Sequence, residues 1–173
     1  MSTVILGLDP GLAHLGWGVI SAAGADLRWI GHGALHTERR KGMAVGRELA
    51  VRVDELSRGV ALLLDIYRPT EAALEEFRFY GKGVTSALQV ANVVGMLRES
   101  LRARGIHAAE YSAQEIKLAV AGGRNAEKRA VQAAVQERLG LRKVPRPEHA
   151  ADALGAAITH AARLGAAVAG GVR

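Results

Sequence analysis

Thr3-Val-Ile-Leu-Gly-Leu-Asp9 is a short apolar run that ends in an acid. Pro10-Gly11 breaks it at once, with one residue that lacks an amide donor and one free to take positive φ. The stretch reads as a buried strand that delivers Asp9 to its carboxyl end. Two further β-like runs, Gly16–Ala22 and Leu27–His36, follow with Gly24 between them. They are too closely spaced to be joined by crossover helices, so the first three strands are expected to form an antiparallel meander.

Beyond His36 the period changes. Between Met43 and Arg68, residues Leu49, Val53, Leu56, Val60, Leu63 and Tyr67 recur at spacings of four and three, the signature of one helical face, and Pro69 stops that helix. Glu71-Ala-Ala-Leu-Glu-Glu-Phe77 repeats the pattern of the first strand, an apolar run with an acidic end. A glycine-containing loop leads to a helix over Ser86–Arg104 that Gly105 closes, and Ile106–Tyr111 is a fifth strand. Ser112-Ala-Gln-Glu115 has capping-box spacing and predicts a helix to Ala121. After Gly122-Gly-Arg-Asn125 come a helix over Ala126–Leu139, a rigid turn at Pro145–Pro147 and a last helix over His149–Leu164. The order β-β-β-α-β-α-β-α-α-α predicts an α/β fold, a five-stranded mixed sheet flanked by helices. Residues 1–165 are expected to form a single domain, with 166–173 a frayed tail.

Composition narrows the function. The 173 residues carry 23 Lys+Arg against 17 Asp+Glu, a formal charge of +6, with 18 arginines beside five lysines and five aspartates. Planar guanidinium groups in this excess suit a phosphate-bearing partner. The absence of cysteine excludes disulfides, thiolate metal sites and a cysteine nucleophile. No apolar run approaches the ~20 residues of a membrane span, and Met1–Ile5 has no basic start, so a soluble, cytoplasmic protein without membrane association is expected.

In an open α/β sheet, functional groups gather where loops leave the carboxyl ends of strands. Asp9 and Glu75 occupy two such ends. His149 and Asp152 are three residues apart, about 300° around a helix axis, and so share one face, while Ala151, Leu154, Ile158 and Ala161 form the stripe that packs on the sheet. If this helix crosses near both strand ends, three carboxylates and an imidazole meet in one cleft. Such carboxylates repel one another, and divalent metal is the simplest resolution. Two ions about 4 Å apart would activate water and stabilise the leaving oxygen of a phosphodiester. Strand alternation lets only one of Glu75 and Glu76 face the cleft, and Glu75 directly follows the apolar Ala72-Ala73-Leu74 run.

Gly7-Leu-Asp-Pro-Gly-Leu12 and Gly16-Trp-Gly18 resemble the opening motif of RuvC-type Holliday junction resolvases, a branch of the ribonuclease H-like nucleases. Ala73-Leu-Glu-Glu76, Lys117, Ala126-Glu-Lys128 and Pro147-Glu-His-Ala-Ala-Asp-Ala-Leu154 extend the resemblance from Val4 to His160. The resemblance implies a homodimer that cuts a four-way DNA junction by paired symmetrical nicks, using Mg²⁺ or Mn²⁺, alongside a branch-migration helicase complex of the RuvA and RuvB type. It also implies metal ligands at Asp9, Glu75, His149 and Asp152, and catalytic lysines at Lys117 and Lys128. His149 stands where most members carry aspartate. A neutral imidazole removes one negative charge and suits Mn²⁺ better than Mg²⁺.

The loop Phe77-Arg-Phe-Tyr-Gly-Lys-Gly83 sets three aromatics and two cations directly after the acidic strand. Phe77 reads as core, whereas Phe79 and Tyr80 are placed to stack on splayed bases. The resemblance puts an aromatic at the junction centre, at Phe79 or Phe77. Arg78, Lys82, Lys117, Arg124, Asn125 and Lys128 complete the expected DNA-binding set. On the helix over Ser86–Arg104, Leu88, Ala91 and Gly95 widen the apolar face beyond one stripe, as a dimer interface requires. The alternatives are a ribonuclease H-like RNA-processing nuclease and a non-catalytic junction-binding module.

Overall fold

The computed structural model describes residues 2–78 and 83–170, with side chains through residue 167. The expectations for Phe79, Tyr80 and Lys82 lie outside the described residues. Along the chain run β1 (Thr3–Asp9), β2 (His14–Ala23), β3 (Asp26–His36), α1 (Val45–Tyr67), β4 (Glu71–Glu75), α2 (Val84–Arg102), β5 (His107–Tyr111), α3 (Ala113–Ala121), α4 (Lys128–Arg138) and α5 (Glu148–Gly170). The sheet order is β3-β2-β1-β4-β5. The first three strands pair antiparallel, and β4 and β5 join parallel beyond β1. This is the expected mixed sheet.

Strand alternation divides the core in two. Leu6, Leu8, Val19, Ala72 and Leu74 point to one face, where Leu56, Val60 and Leu64 of α1 and Val93, Leu97 and Leu101 of α2 cover them. Ile5, Ile20, Ala73 and Tyr111 point to the other, where Leu154, Ala157 and Ile158 of α5 pack, with Ile116 and Val120 of α3 and Val131 and Val135 of α4 in the same cluster. A wholly buried side chain such as Leu154 or Ile158 contributes about 1.5–3 kcal/mol by leaving water.

Three expectations need correction. The strand expected to reach Phe77 ends at Glu75, so Phe77 is half-buried on the cleft wall rather than in the core. The last helix runs past Leu164 to Gly170, into the stretch that read as a tail, where Ala166, Ala167 and Ala169 are good helix formers. Third, α5 buries more than a stripe: from Ala150 to Ala161 every residue except Asp152 is buried, because α3 and α4 cover the side turned away from the sheet.

Local signals set several boundaries as read. Arg68, at φ 45°, closes α1 ahead of Pro69. Ser112 and Glu115 form the reciprocal capping box that starts α3. Among the described residues no helix is long and apolar enough to cross a membrane.

Candidate active site

Asp9 ends β1 and Glu75 ends the neighbouring parallel strand β4, in a register that pairs Leu8 with Leu74. Their carboxylates therefore leave the sheet side by side. What brings α5 over them is the absence of side chains on the strands beneath. A Cβ on Gly7 would lie 1.9 Å from the carbonyl oxygen of Ala153, and one on Gly16 would lie 2.1 Å from that of His149. Only glycine lets the backbone of α5 come so close to β1 and β2. That contact hangs His149 and Asp152, one turn apart, above Asp9.

Asp9, His149 and Asp152 each offer a donor atom within 4.8 Å of the others. The Nδ1 of His149 lies 2.7 Å from Oδ2 of Asp9, and as N–H it donates to that carboxylate. Glu75 stands outside this trio but close to it. Burial, then the charges of Asp9 and Asp152, push its carboxyl up from 4.5 to about 7, against the opposing pull of Lys128 and Lys117. Burial raises Asp9 too, partly offset by its hydrogen bond from His149. Glu76 points elsewhere, accepting from the Arg78 guanidinium at 2.8 Å. Ala73 lies two residues before Glu75 and packs in the α5 core, so alternation turns Glu75 toward α5 and Glu76 away from it.

Two cavities meet at Glu75. One, of about 290 Å³, is bordered by Asp9, Glu76, Phe77, Arg78 and Ser112. The other, about 220 Å³, is bordered by Lys117, Lys128 and Asp152. Lys128 Nζ lies 3.0 Å from Glu148 and 3.4 Å from Asp152, and its pKa rises chiefly through the hydrogen bond to Glu148. The structure thus gathers Asp9, Glu75, His149, Asp152, Lys117, Lys128, Phe77 and Arg78 around one cleft. Arg124 borders a separate groove with Arg78, Ser112 and Arg163, and Asn125 is exposed beside it.

Two features escaped the sequence reading. Glu148 fixes Lys128, although the two are twenty residues apart. The His14 ring stacks on His149, with centroids 5.4 Å apart and planes inclined by 16°, and its Nδ1 lies 2.7 Å from that of His36. His14 and His36 face each other across the β2–β3 hairpin. Their separation in sequence could have raised the pairing, but only the register establishes it.

A five-stranded mixed sheet with a carboxylate cleft at the ends of β1 and β4, roofed by a helix bearing two further donors, defines a ribonuclease H-like nuclease. The model of the crossover junction endodeoxyribonuclease RuvC family matches residues 5–160. The RuvC of Rubrobacter xylanophilus is 41% identical over 158 residues, covering 91% of this chain and 84% of its own. That of Treponema denticola is 41% identical over 155 residues, 90% of this chain and 83% of its own. The structure of Thermus thermophilus RuvC in complex with a Holliday junction substrate superposes with a TM-score of 0.80 at 32% identity, covering 94% of this chain and 96% of that one. The chain belongs to the RuvC family of crossover junction endodeoxyribonucleases.

The family depends on divalent metal, and the donors fit one. Carboxylate oxygens with an imidazole and no thiolate are the ligands of Mg²⁺ and Mn²⁺ chemistry. Burial, and then the charges of Asp9 and Asp152, raise Glu75, and a divalent cation bound among these acids would favour its ionised form.

Proposed function

We propose that this cleft hydrolyses phosphodiester bonds of four-way junction DNA, with two divalent cations held by Asp9, Glu75, His149 and Asp152, in recombination and repair. The convergence of these four side chains with Lys117 and Lys128 carries the reading. Bound there, the cations would supply an activated water and neutralise charge on the leaving oxygen. Asp9, which meets His149 directly and whose charge acts on Glu75, would be one of the residues that hold them. The bond from Nδ1 of His149 to Asp9 orients the ring and would leave Nε2 as the nitrogen free to hold a metal. Lys128, held by Glu148 and Asp152, and Lys117, which borders the same cavity, meet the scissile phosphate and stabilise its oxygens as charge develops. The imidazole at 149 favours Mn²⁺ over Mg²⁺.

Phe77, Arg78, Phe79, Tyr80 and Lys82, next in sequence after the acidic strand, are assigned to contacts with the junction centre, and Arg124 and Asn125 to the basic surface. The chain acts as a homodimer in the cytoplasm. Leu88, at 59% exposure, lines up with exposed Ala91 and Gly95 along α2, an uncovered apolar stripe suited to a second copy. Two-fold symmetry supplies two clefts for paired cuts. A branch-migration helicase of the RuvA and RuvB type would deliver the junction.

The test compares a synthetic four-way junction with duplex DNA, an RNA–DNA hybrid and a structured RNA, each with and without divalent metal. Symmetrical, metal-dependent nicks in the junction that vanish in Asp9→Asn are expected. Preferential cleavage of the hybrid or the structured RNA would overturn the reading, as would junction binding without cleavage.

A further inference from the structure

At the other end of β4 lies a second cluster of donors that the cleft does not use. Glu71 opens β4 and stands in register with His107, which opens the parallel strand β5. His160 reaches them from α5. It is eleven residues beyond His149, close to three full turns, so the helix carries both imidazoles along one side about 16 Å apart. His160 is 3% exposed, whereas the His107 side chain is 73% exposed and opens the cluster to solvent.

The spacing fits a coordination shell as well as it fits hydrogen bonds. Glu71 Oε2 lies 3.3 Å from Nδ1 of His107 and 3.2 Å from Nε2 of His160, and the three donor atoms all fall within 4.8 Å of one another. Ligands about 2.0–2.1 Å from a tetrahedral Zn²⁺ are separated by about 3.3 Å along each edge, which both measured distances match. The His160–Glu71 contact at 3.2 Å also satisfies a hydrogen bond, the alternative that metal titration distinguishes. The outer shell is present as well. Tyr111 Oη lies 2.7 Å from Nδ1 of His160. A bond donated from that Nδ1–H leaves the Nε2 lone pair facing Glu71, the orientation of a metal-bound imidazole.

We propose that Glu71, His107 and His160 form a second metal site, for Zn²⁺ or a similar borderline transition ion, with the fourth position open to solvent beside His107. Two imidazoles and one carboxylate select against Mg²⁺. The site ties the starts of β4 and β5 to the later turns of α5, and it does not depend on the chemistry of the cleft.

Co²⁺ titration of the full chain in excess Mg²⁺ tests this, since tetrahedral Co²⁺ absorbs intensely in the visible and octahedral Co²⁺ does not. One equivalent of intense absorbance is expected, displaced by Zn²⁺ and unaffected by further Mg²⁺. His107→Ala alters an exposed side chain that can be lost without unfolding the protein. It should abolish the band and weaken Zn²⁺ binding at least ~100-fold, and Tyr111→Phe should weaken it about 10-fold by removing the outer partner. His149→Ala should leave the band intact. A purely hydrogen-bonded cluster gives no intense band in the wild type, and that result overturns the proposal. Retention of the band in His107→Ala, or its loss in His149→Ala, overturns it equally.

Discussion

Replacing Glu75 by glutamine should make the metal-free protein more stable at neutral pH. Burial, and then Asp9 and Asp152, lift the Glu75 carboxyl from 4.5 to about 7 in the folded chain. In the unfolded chain it titrates near its ordinary value, so between these two limits the folded state holds a proton that the unfolded state has lost. Stability must therefore fall as pH rises through that window and level off above it. At about 1.4 kcal/mol per pH unit, a separation of roughly 2.5 amounts to about 3 kcal/mol. For a chain of this size that is on the order of 6–12 °C in Tm. Urea unfolding in EDTA from pH 5 to pH 8 measures it. The wild type should lose stability across the series, while Glu75→Gln should lose much less. Asp9, raised mainly by burial, leaves a residual slope of the same sign. Added Mn²⁺ should abolish the wild-type slope, because a cation among the carboxylates holds Glu75 ionised. An unchanged slope in Glu75→Gln would refute the argument that burial, together with Asp9 and Asp152, raises Glu75 in the folded chain.

Three further outcomes follow from the geometry. Gly16→Ala forces a methyl group to within 2.1 Å of the His149 carbonyl oxygen, so junction cleavage should collapse and thermal unfolding should show a loss of at least ~1–3 kcal/mol. The ratio of Mn²⁺-supported to Mg²⁺-supported cleavage rates should exceed one in the wild type and fall in His149→Asp; equal ratios would remove the imidazole from the ligand set. Lys128→Ala should lower the single-turnover rate on a four-way junction about 10²–10³-fold with little change in junction affinity, the pattern of a group that acts in the transition state.

Much of this was legible in the chain because local signals and long-range packing agree. Pro10-Gly11 marks the exit of Asp9, the Ser112 and Glu115 box forms as written, and the four-and-three spacing of α1 finds the sheet. What was hidden depended on the third dimension. α5 reads as an amphipathic helix, but alanine is small enough to be covered from both sides, so its period does not reveal that α3 and α4 lie over it. The choice between Glu75 and Glu76 needed the face that Ala73 occupies. The histidine stack on His149 exists only because one hairpin register sets His14 opposite His36, and Glu148 meets Lys128 only because α4 and α5 start side by side.

The seating of α5 on bare glycine backbone has a consequence for how this site can change. Side-chain contacts can be repacked, and a pocket built on them can be widened or narrowed by exchanging one aliphatic residue for another. Here main chain rests against main chain at Gly7 and Gly16, and no substitution in the core alters that spacing gradually. The distance between strand end and helix face behaves as a fixed dimension. With the ligand set proposed above, a shift in metal preference would come through the identity of the ligands themselves, and His149, half-exposed beside Asp9, is the one whose exchange the core would feel least.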